Sequence, residues 1–268
     1  MQNAVSAILS ASSDPVAIFT DFDGTLVEIA SHPDAVQVPR DLPARLGALY
    51  TALDGALAVV TGRTIETVDA FLPGQDFSVS GSHGAELRHE GETTGPKPHL
   101  VADARTITAH VFEKLGAEAG LLIEPKPTGV AVHYRAAPEK GAIASAAIES
   151  AIQDYSDFHA IAGKMVVEVR PTSANKGAAI IRLMQVNPFA GRLPVFIGDD
   201  VTDEDGFQAA ADLGGFGIRI GEPTQTRARF ALPDIASLFA YFEALIEREQ
   251  NTAAPDFADQ SVQESQVK

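Results

Sequence analysis

The chain has 268 residues, 45% of them hydrophobic, and a formal net charge of −16. That length and apolar content support one large domain or two moderate ones with real cores, and exclude disorder throughout. The acidic balance argues against nucleic acid and anionic membranes as partners, and the absence of cysteine removes disulfides, thiolate nucleophiles and zinc–thiolate sites.

Met1–Ser13 lacks the basic start and apolar core of a secretory signal. No apolar run reaches the roughly 20 residues a membrane helix needs, so a cytoplasmic location is the expectation. The first apolar run, Val16–Thr20, ends in Asp21-Phe22-Asp23-Gly24-Thr25. Helices are expected at Pro39–Leu53 and Thr64–Leu72, on either side of a second run, Ala56–Val60, that ends in Thr61-Gly62-Arg63. Phe77–Ser80 reads as a further strand, leading into Gly81-Ser82-His83-Gly84-Ala85-Glu86. Gly91–Pro98, rich in Gly, Thr and Pro, reads as a linker.

From about residue 101 the pattern changes. A helix over Val101–Ala119, strands at Leu121–Glu124 and Gly129–Arg135, a helix over Glu139–Tyr155, and strands at Phe158–Ile161 and Lys164–Arg170 predict a compact α+β unit. Alternation within the last strand puts Lys164, Val166, Glu168 and Arg170 on one face and Met165, Val167 and Val169 on the other. A charged face of this kind either binds a hydroxyl-rich ligand or simply meets solvent. A helix from Lys176 and an apolar run at Val195–Ile197 then resume the earlier alternation, and that run ends in Gly198-Asp199-Asp200-Val201-Thr202-Asp203. The expected architecture is α/β: a Rossmann-like parallel-sheet core over residues 1–100 and 172–250, an inserted cap over 101–171 and a disordered tail over 251–268.

Three apolar runs that end in carboxylates, a hydroxyl and glycines predict one site, because open α/β sheets bind ligands beyond the carboxyl ends of their strands. A carboxylate such as Asp21 can attack phosphorus, and a second one two residues on, Asp23, can give and take the proton, although Asp and Gly also favour turns. Carboxylate and phosphate repel. Mg2+ is the usual remedy, and Asp199, Asp200 and Asp203 with Asp21 could make an oxygen-only site for it. Asp203 either supports that site or caps the following helix. Thr61 offers a hydroxyl and Gly62 an approachable amide. Lys176 in a first helical turn opposes the helix dipole, which makes sense if it serves an anion and not if it is a solvated surface lysine. His83 either hydrogen-bonds substrate or braces its loop. His133 is expected to be structural, and His32, His89, His99, His110 and His159 read as surface residues.

Asp21-Phe22-Asp23-Gly24-Thr25-Leu26, Thr61-Gly62, Lys176 and Gly198-Asp199-Asp200 followed by Asp203 resemble the four-motif signature of the haloacid dehalogenase-like phosphohydrolases. The resemblance implies Asp21 as nucleophile, Asp23 as general acid/base, and Thr61 and Lys176 as phosphate clamps. It also implies Mg2+ held by Asp21, the Asp23 backbone carbonyl and Asp199, with Asp200 and Asp203 in support. The Gly81–Glu86 segment, Glu124 with Lys126, His133–Arg135, and Lys164 with Glu168 and Arg170 resemble the trehalose-6-phosphate phosphatases over roughly residues 14–245. That likeness implies trehalose 6-phosphate as substrate, a place in trehalose biosynthesis, and Gly62, Arg63, His83, Glu124, Lys126, Lys164, Glu168 and Arg170 as substrate-binding residues. The chain carries no sugar-nucleotide transferase segment, so a free-standing phosphatase is expected. The alternatives are a phosphatase for sucrose phosphate or mannosylglycerate phosphate, or a phospho-aspartate regulatory module. The extra acid Asp23 and the inserted cap argue against the last. Oligomeric state is not legible.

Overall fold

The computed structural model describes residues 2–30, 35–222 and 225–253. The first apolar run forms β1 (Val16–Thr20), preceded by α1 (Gln2–Ala11) and followed by α2 (Leu42–Ala52), β2 (Leu57–Val60), α3 (Ile65–Phe71) and β3 (Ser78–Gly81). β1 and β2 are buried at every position. That is why they read as unbroken apolar runs, since parallel strands are covered on both faces. α3 starts where expected because the Thr64 side chain accepts from Thr67 N–H.

The expected linker is instead partly sheet. After β4 (Glu86–His89), β5 (Glu92–Thr94) pairs antiparallel with it, and α4 (Pro98–Leu115) starts at once. β6 (Leu122–Lys126), β7 (Gly129–His133), α5 (Gly141–Ile152), β8 (Phe158–Gly163) and β9 (Val166–Pro171) follow. The chain then returns through α6 (Lys176–Leu183), β10 (Leu193–Gly198), α7 (Glu204–Asp212), β11 (Phe216–Ile220), β12 (Phe230–Leu232) and α8 (Ile235–Ala253). α8 carries helix to Ala253, into the stretch expected to be a tail from 251; the remainder, 254–268, lies outside the described residues, as does His32.

The first sheet has eight strands in the order β12-β11-β10-β1-β2-β3-β4-β5. The β12-to-β3 ladders are parallel, and β4 and β5 add an antiparallel edge. β1 is central, with Phe19 opposite Phe196 on one side and Ala58 on the other. Its core includes Ile18, Phe19, Val59, Leu183, Phe189, Phe196 and Tyr241, all without exposure. His89, expected at the surface, accepts or donates to Ser78 Oγ at 2.8 Å and lies 5.9 Å from the Phe189 ring.

The second sheet is antiparallel, β6-β7-β9-β8, and has its own core. Ile107, Val111 and Leu115 of α4 and Ile148 of α5 pack on Val130, Val132, Val167 and Val169. The opposite face carries a cross-strand row, Glu124–Ala131–Glu168. The alternation holds for residues 166–170, but Lys164 and Met165 form the turn between β8 and β9 and belong to neither face. Met165 has φ 60 and is exposed, so it does not join the apolar face.

Candidate active site

Register brings the first and last motifs together. Thr20 pairs with Ile197, so Asp21 and Asp199 leave adjacent parallel strands side by side. Asp21 N–H donates to the Ile197 carbonyl at 2.8 Å. Gly24 turns the chain back with φ 77, and a Cβ there would lie 2.2 Å from Asp199 Oδ2. No side chain fits at that point, so Thr25 Oγ1 can reach Asp199 Oδ1 at 3.1 Å.

Lys176 is fully enclosed beneath these strand ends. Its Nζ lies 2.9 Å from Asp21 Oδ1 and 2.6 Å from Asp203 Oδ1. The Asn175 side chain starts α6 by accepting from Ala178 N–H at 2.7 Å, and so sets Lys176 in the first turn. The other oxygen of Asp203 accepts the Asp199 and Asp200 amides, both at 2.8 Å. Asp203 therefore supports the loop from below and makes no cap bond to α7. Asp200 is exposed, and its carboxylate accepts from Val201 N–H.

Asp21, Asp199 and Asp203 each present an oxygen within 4.8 Å of the others. Asp23 and Asp200 are not in that group. One ammonium thus serves three carboxylates. Burial pushes the Asp21 carboxyl up to about 8, against the pull of Lys176 and with the repulsion of Asp203 added. Burial and then Asp203 push Asp199 up to about 6. Burial lowers Lys176, but Asp203 and Asp21 outweigh it and the net direction is up. The cluster is short of positive charge, and its donors are all oxygen. That donor set fits a hard divalent cation at Asp21 and Asp199, whereas Asp203 gives one oxygen to two amides and the other to Lys176.

Thr61 is buried and accepts from Arg63 N–H at 3.2 Å, which leaves its own O–H free to donate. Beside it, Ser82 and His83 both have positive φ, 49 and 56. The loop holds that conformation through Ser82 Oγ to Glu86 Oε1 at 2.8 Å and the His83 N–H to the Thr61 carbonyl at 2.9 Å. The His83 ring lies against Gly62, where a Cβ would come within 2.5 Å of it. Gly62 is thus required by the neighbouring imidazole as well as by any anion. Sequence reasoning missed this, because the two residues meet only through the pairing of β2 with β3.

The second sheet turns its charged row to this loop. His83 Nε2 stands 4.0 Å from Glu168 Oε1, and the same oxygen accepts from Lys126 Nζ at 2.9 Å. Burial, then Lys176, Arg170 and Lys126, hold His83 well below the usual histidine range, so it is neutral. His133 joins the row, with Nε2 2.8 Å from Glu124 Oε2. Arg170 is buried, 3.9 Å from Asp205 of α7, with its Nε unpartnered. Lys164 is apart from this group, exposed in the β8–β9 turn. Among the described residues no helix is long and apolar enough to cross a membrane.

Residues 19–235 match the trehalose-phosphatase family model. A probable trehalose-phosphate phosphatase of Sinorhizobium fredii is 42% identical over 88% of this chain and 90% of its own length. The trehalose-6-phosphate phosphatase of Escherichia coli is 37% identical over 90% and 92%. A crystal structure of a trehalose-6-phosphate phosphatase related protein aligns with a TM-score of 0.74 at 26% identity, covering 88% of this chain and 99% of the other. The Candida albicans trehalose-6-phosphate phosphatase C-terminal domain shares the fold, with a TM-score of 0.76 at 21% identity and coverage of 92% and 98%. The layered core with its additional antiparallel sheet is the haloacid dehalogenase-like fold expected from the motifs. With a family match that runs from β1 to the start of α8, and relatives aligned over nearly their whole length, the chain belongs to the trehalose-phosphatase family.

Proposed function

We propose that the protein hydrolyses trehalose 6-phosphate to trehalose and phosphate. The observation that carries this reading is the meeting of Asp21, Asp199 and Lys176 at adjacent strand ends, opposite a polar row that contains Lys126 and Glu168. Relatives named for this substrate at 37–42% identity support it. Bound at Asp21 and Asp199, Mg2+ would offset the charge of the phosphate and its nucleophile. Asp200 and Asp203 act behind these ligands, by capping the loop and by holding its amides.

In the proposed reaction, Asp21 attacks phosphorus, and the bond to the sugar oxygen breaks as Asp23 gives that oxygen a proton. Water then attacks the aspartyl-phosphate, Asp23 takes its proton, and phosphate leaves. Lys176 has three N–H donors, two of them directed at Asp21 and Asp203, so the third can hold a phosphate oxygen. The Thr61 hydroxyl and Gly62 amide take others. Residues 101–171 act as the cap, where Glu124, Lys126, Glu168 and Arg170, with His83 from the core, hydrogen-bond sugar hydroxyls. Lys164, in its exposed turn, reaches substrate only if the cap closes.

Phosphate release from trehalose 6-phosphate, sucrose 6-phosphate and glucose 6-phosphate, with magnesium and with chelator, tests the reading. Magnesium-dependent release from the trehalose ester alone is expected. Glu168→Gln should raise KM roughly 10- to 100-fold, the loss of one or two charge-assisted hydrogen bonds, while leaving hydrolysis of an aryl phosphate unchanged. Equal rates on all three sugars would remove the cap from substrate selection.

A further inference from the structure

The carboxylate of Asp23 is already engaged. Arg63 Nε stands 2.6 Å from Asp23 Oδ2 and Arg63 Nη2 stands 2.8 Å from Oδ1, a two-pronged pairing between residues 40 apart in sequence. The guanidinium is itself seated. It lies over the Phe71 ring at 5.1 Å and the Phe22 ring at 5.9 Å, and those rings stack at 5.7 Å with an interplanar angle of 7°. Phe22, between the two aspartates, has no exposure. The Arg63 backbone is tied as well: its N–H donates to Thr61 Oγ1, and its carbonyl accepts from Ser82 N–H at 2.7 Å. Backbone, ring plane and fork are therefore all fixed before any ligand arrives.

We propose that Arg63 is the positioning residue for Asp23, and acts through that carboxylate rather than as a ligand of the sugar phosphate. The proposal rests on the reading of Asp23 as acid and base given above. In a fork each carboxylate oxygen gives one lone pair to a guanidinium N–H and keeps another. The pairing thus fixes where the carboxylate points and still leaves an oxygen able to pass a proton to the sugar oxygen, and later to take one from water. The planar seat on two rings demands a guanidinium. A lysine offers a point charge and no fork.

Steady-state and single-turnover rates on trehalose 6-phosphate would be measured for the parent, R63K, R63A, D23N and R63A/D23N, with magnesium present. R63A should lower kcat about 100-fold with KM changed less than about threefold, the size expected when a reacting group is misplaced by about 1 Å. R63K should lose most of the same factor. In the D23N background the R63A change should cost less than about threefold, because nothing remains to be positioned. Added guanidinium ion should restore part of the R63A rate. A raised KM at parental kcat, or a full R63A penalty retained in D23N, would make Arg63 a substrate ligand and overturn the proposal. Parental turnover in D23N would instead overturn the reading of Asp23, a separate result. Should R63A fail to fold, Phe71→Leu removes a ring under the guanidinium and keeps both charges. It should lower kcat at constant KM only where Asp23 is present, and a raised KM there would again refute the proposal.

Discussion

Metal uptake should expel a proton, and the structure says roughly how many. Asp21 is raised to about 8 and Asp199 to about 6 in the metal-free cluster. At pH 7 the first is about 90% protonated and the second about 10%, so a cation that requires both as carboxylates displaces about one proton. At pH 9 the figure falls to about 0.1. The same arithmetic makes magnesium binding on the order of 100-fold tighter at pH 9 than at pH 6. Titration calorimetry in two buffers of different ionisation enthalpy counts the protons directly. Asp199→Asn should remove most of the binding heat. A release below about 0.3 proton at pH 7, or one that does not change between pH 7 and 9, would mean that the two carboxylates are not the ligands, or that their burial does not raise them.

Three further outcomes follow from the same geometry. Because the Asp21 carboxyl is raised when folded, the stability it contributes is fully present below its ordinary value of 3.8 and is lost as pH rises through about 8; the chelated protein should therefore melt at progressively lower temperature from pH 6 to 9, and magnesium should flatten the trend. Lys176→Met leaves Asp21 and Asp203 facing each other in a buried site, and urea denaturation should show a loss of about 3–5 kcal/mol at pH 8 that shrinks at pH 6; an equal loss at both would show that proton uptake does not relieve the pair. Gly62→Ala puts a methyl group 2.5 Å from the His83 ring and should cost about 1–3 kcal/mol, with Gly62→Ala/His83→Ala less destabilised than the sum of the single changes; strict additivity would refute the steric coupling.

The strand ends were legible because a buried parallel strand announces itself twice, by an unbroken apolar run and by its abrupt polar end. Val16–Thr20 and Val195–Ile197 did both, and their adjacency at Asp21 and Asp199 follows from the fold class. β5 was not legible. Its Glu92-Thr93-Thr94 is a three-residue exposed edge strand, and such a strand has no apolar face to reveal it. The alternation through Val166–Arg170 was correct, since Val167 and Val169 must meet α4 and α5. It failed at Lys164 and Met165, because turn placement is set by pairing with β8 and not by local pattern. The Arg63–Asp23 fork and the seating of His83 on Gly62 join residues whose meeting depends on sheet order, and neither has a periodic or spacing signal.

The position of β1 in its sheet also dictates an order of assembly. Its β2 edge is satisfied by chain made soon afterwards, but its β10 edge waits for about 170 more residues. At about 5–20 residues per second of synthesis, Val16–Thr20 spends about 10–30 s on the ribosome as an open apolar edge, the kind of edge that recruits other chains. The segment from Pro98 to Pro171 closes its own sheet and core in that interval, so the nascent polypeptide carries a finished lobe beside an unfinished one. Only when Leu193–Gly198 slides in does Asp199 arrive beside Asp21. A product truncated before β10 thus holds Asp21 without Asp199, and the candidate site closes only after the lobe of residues 98–171 is complete.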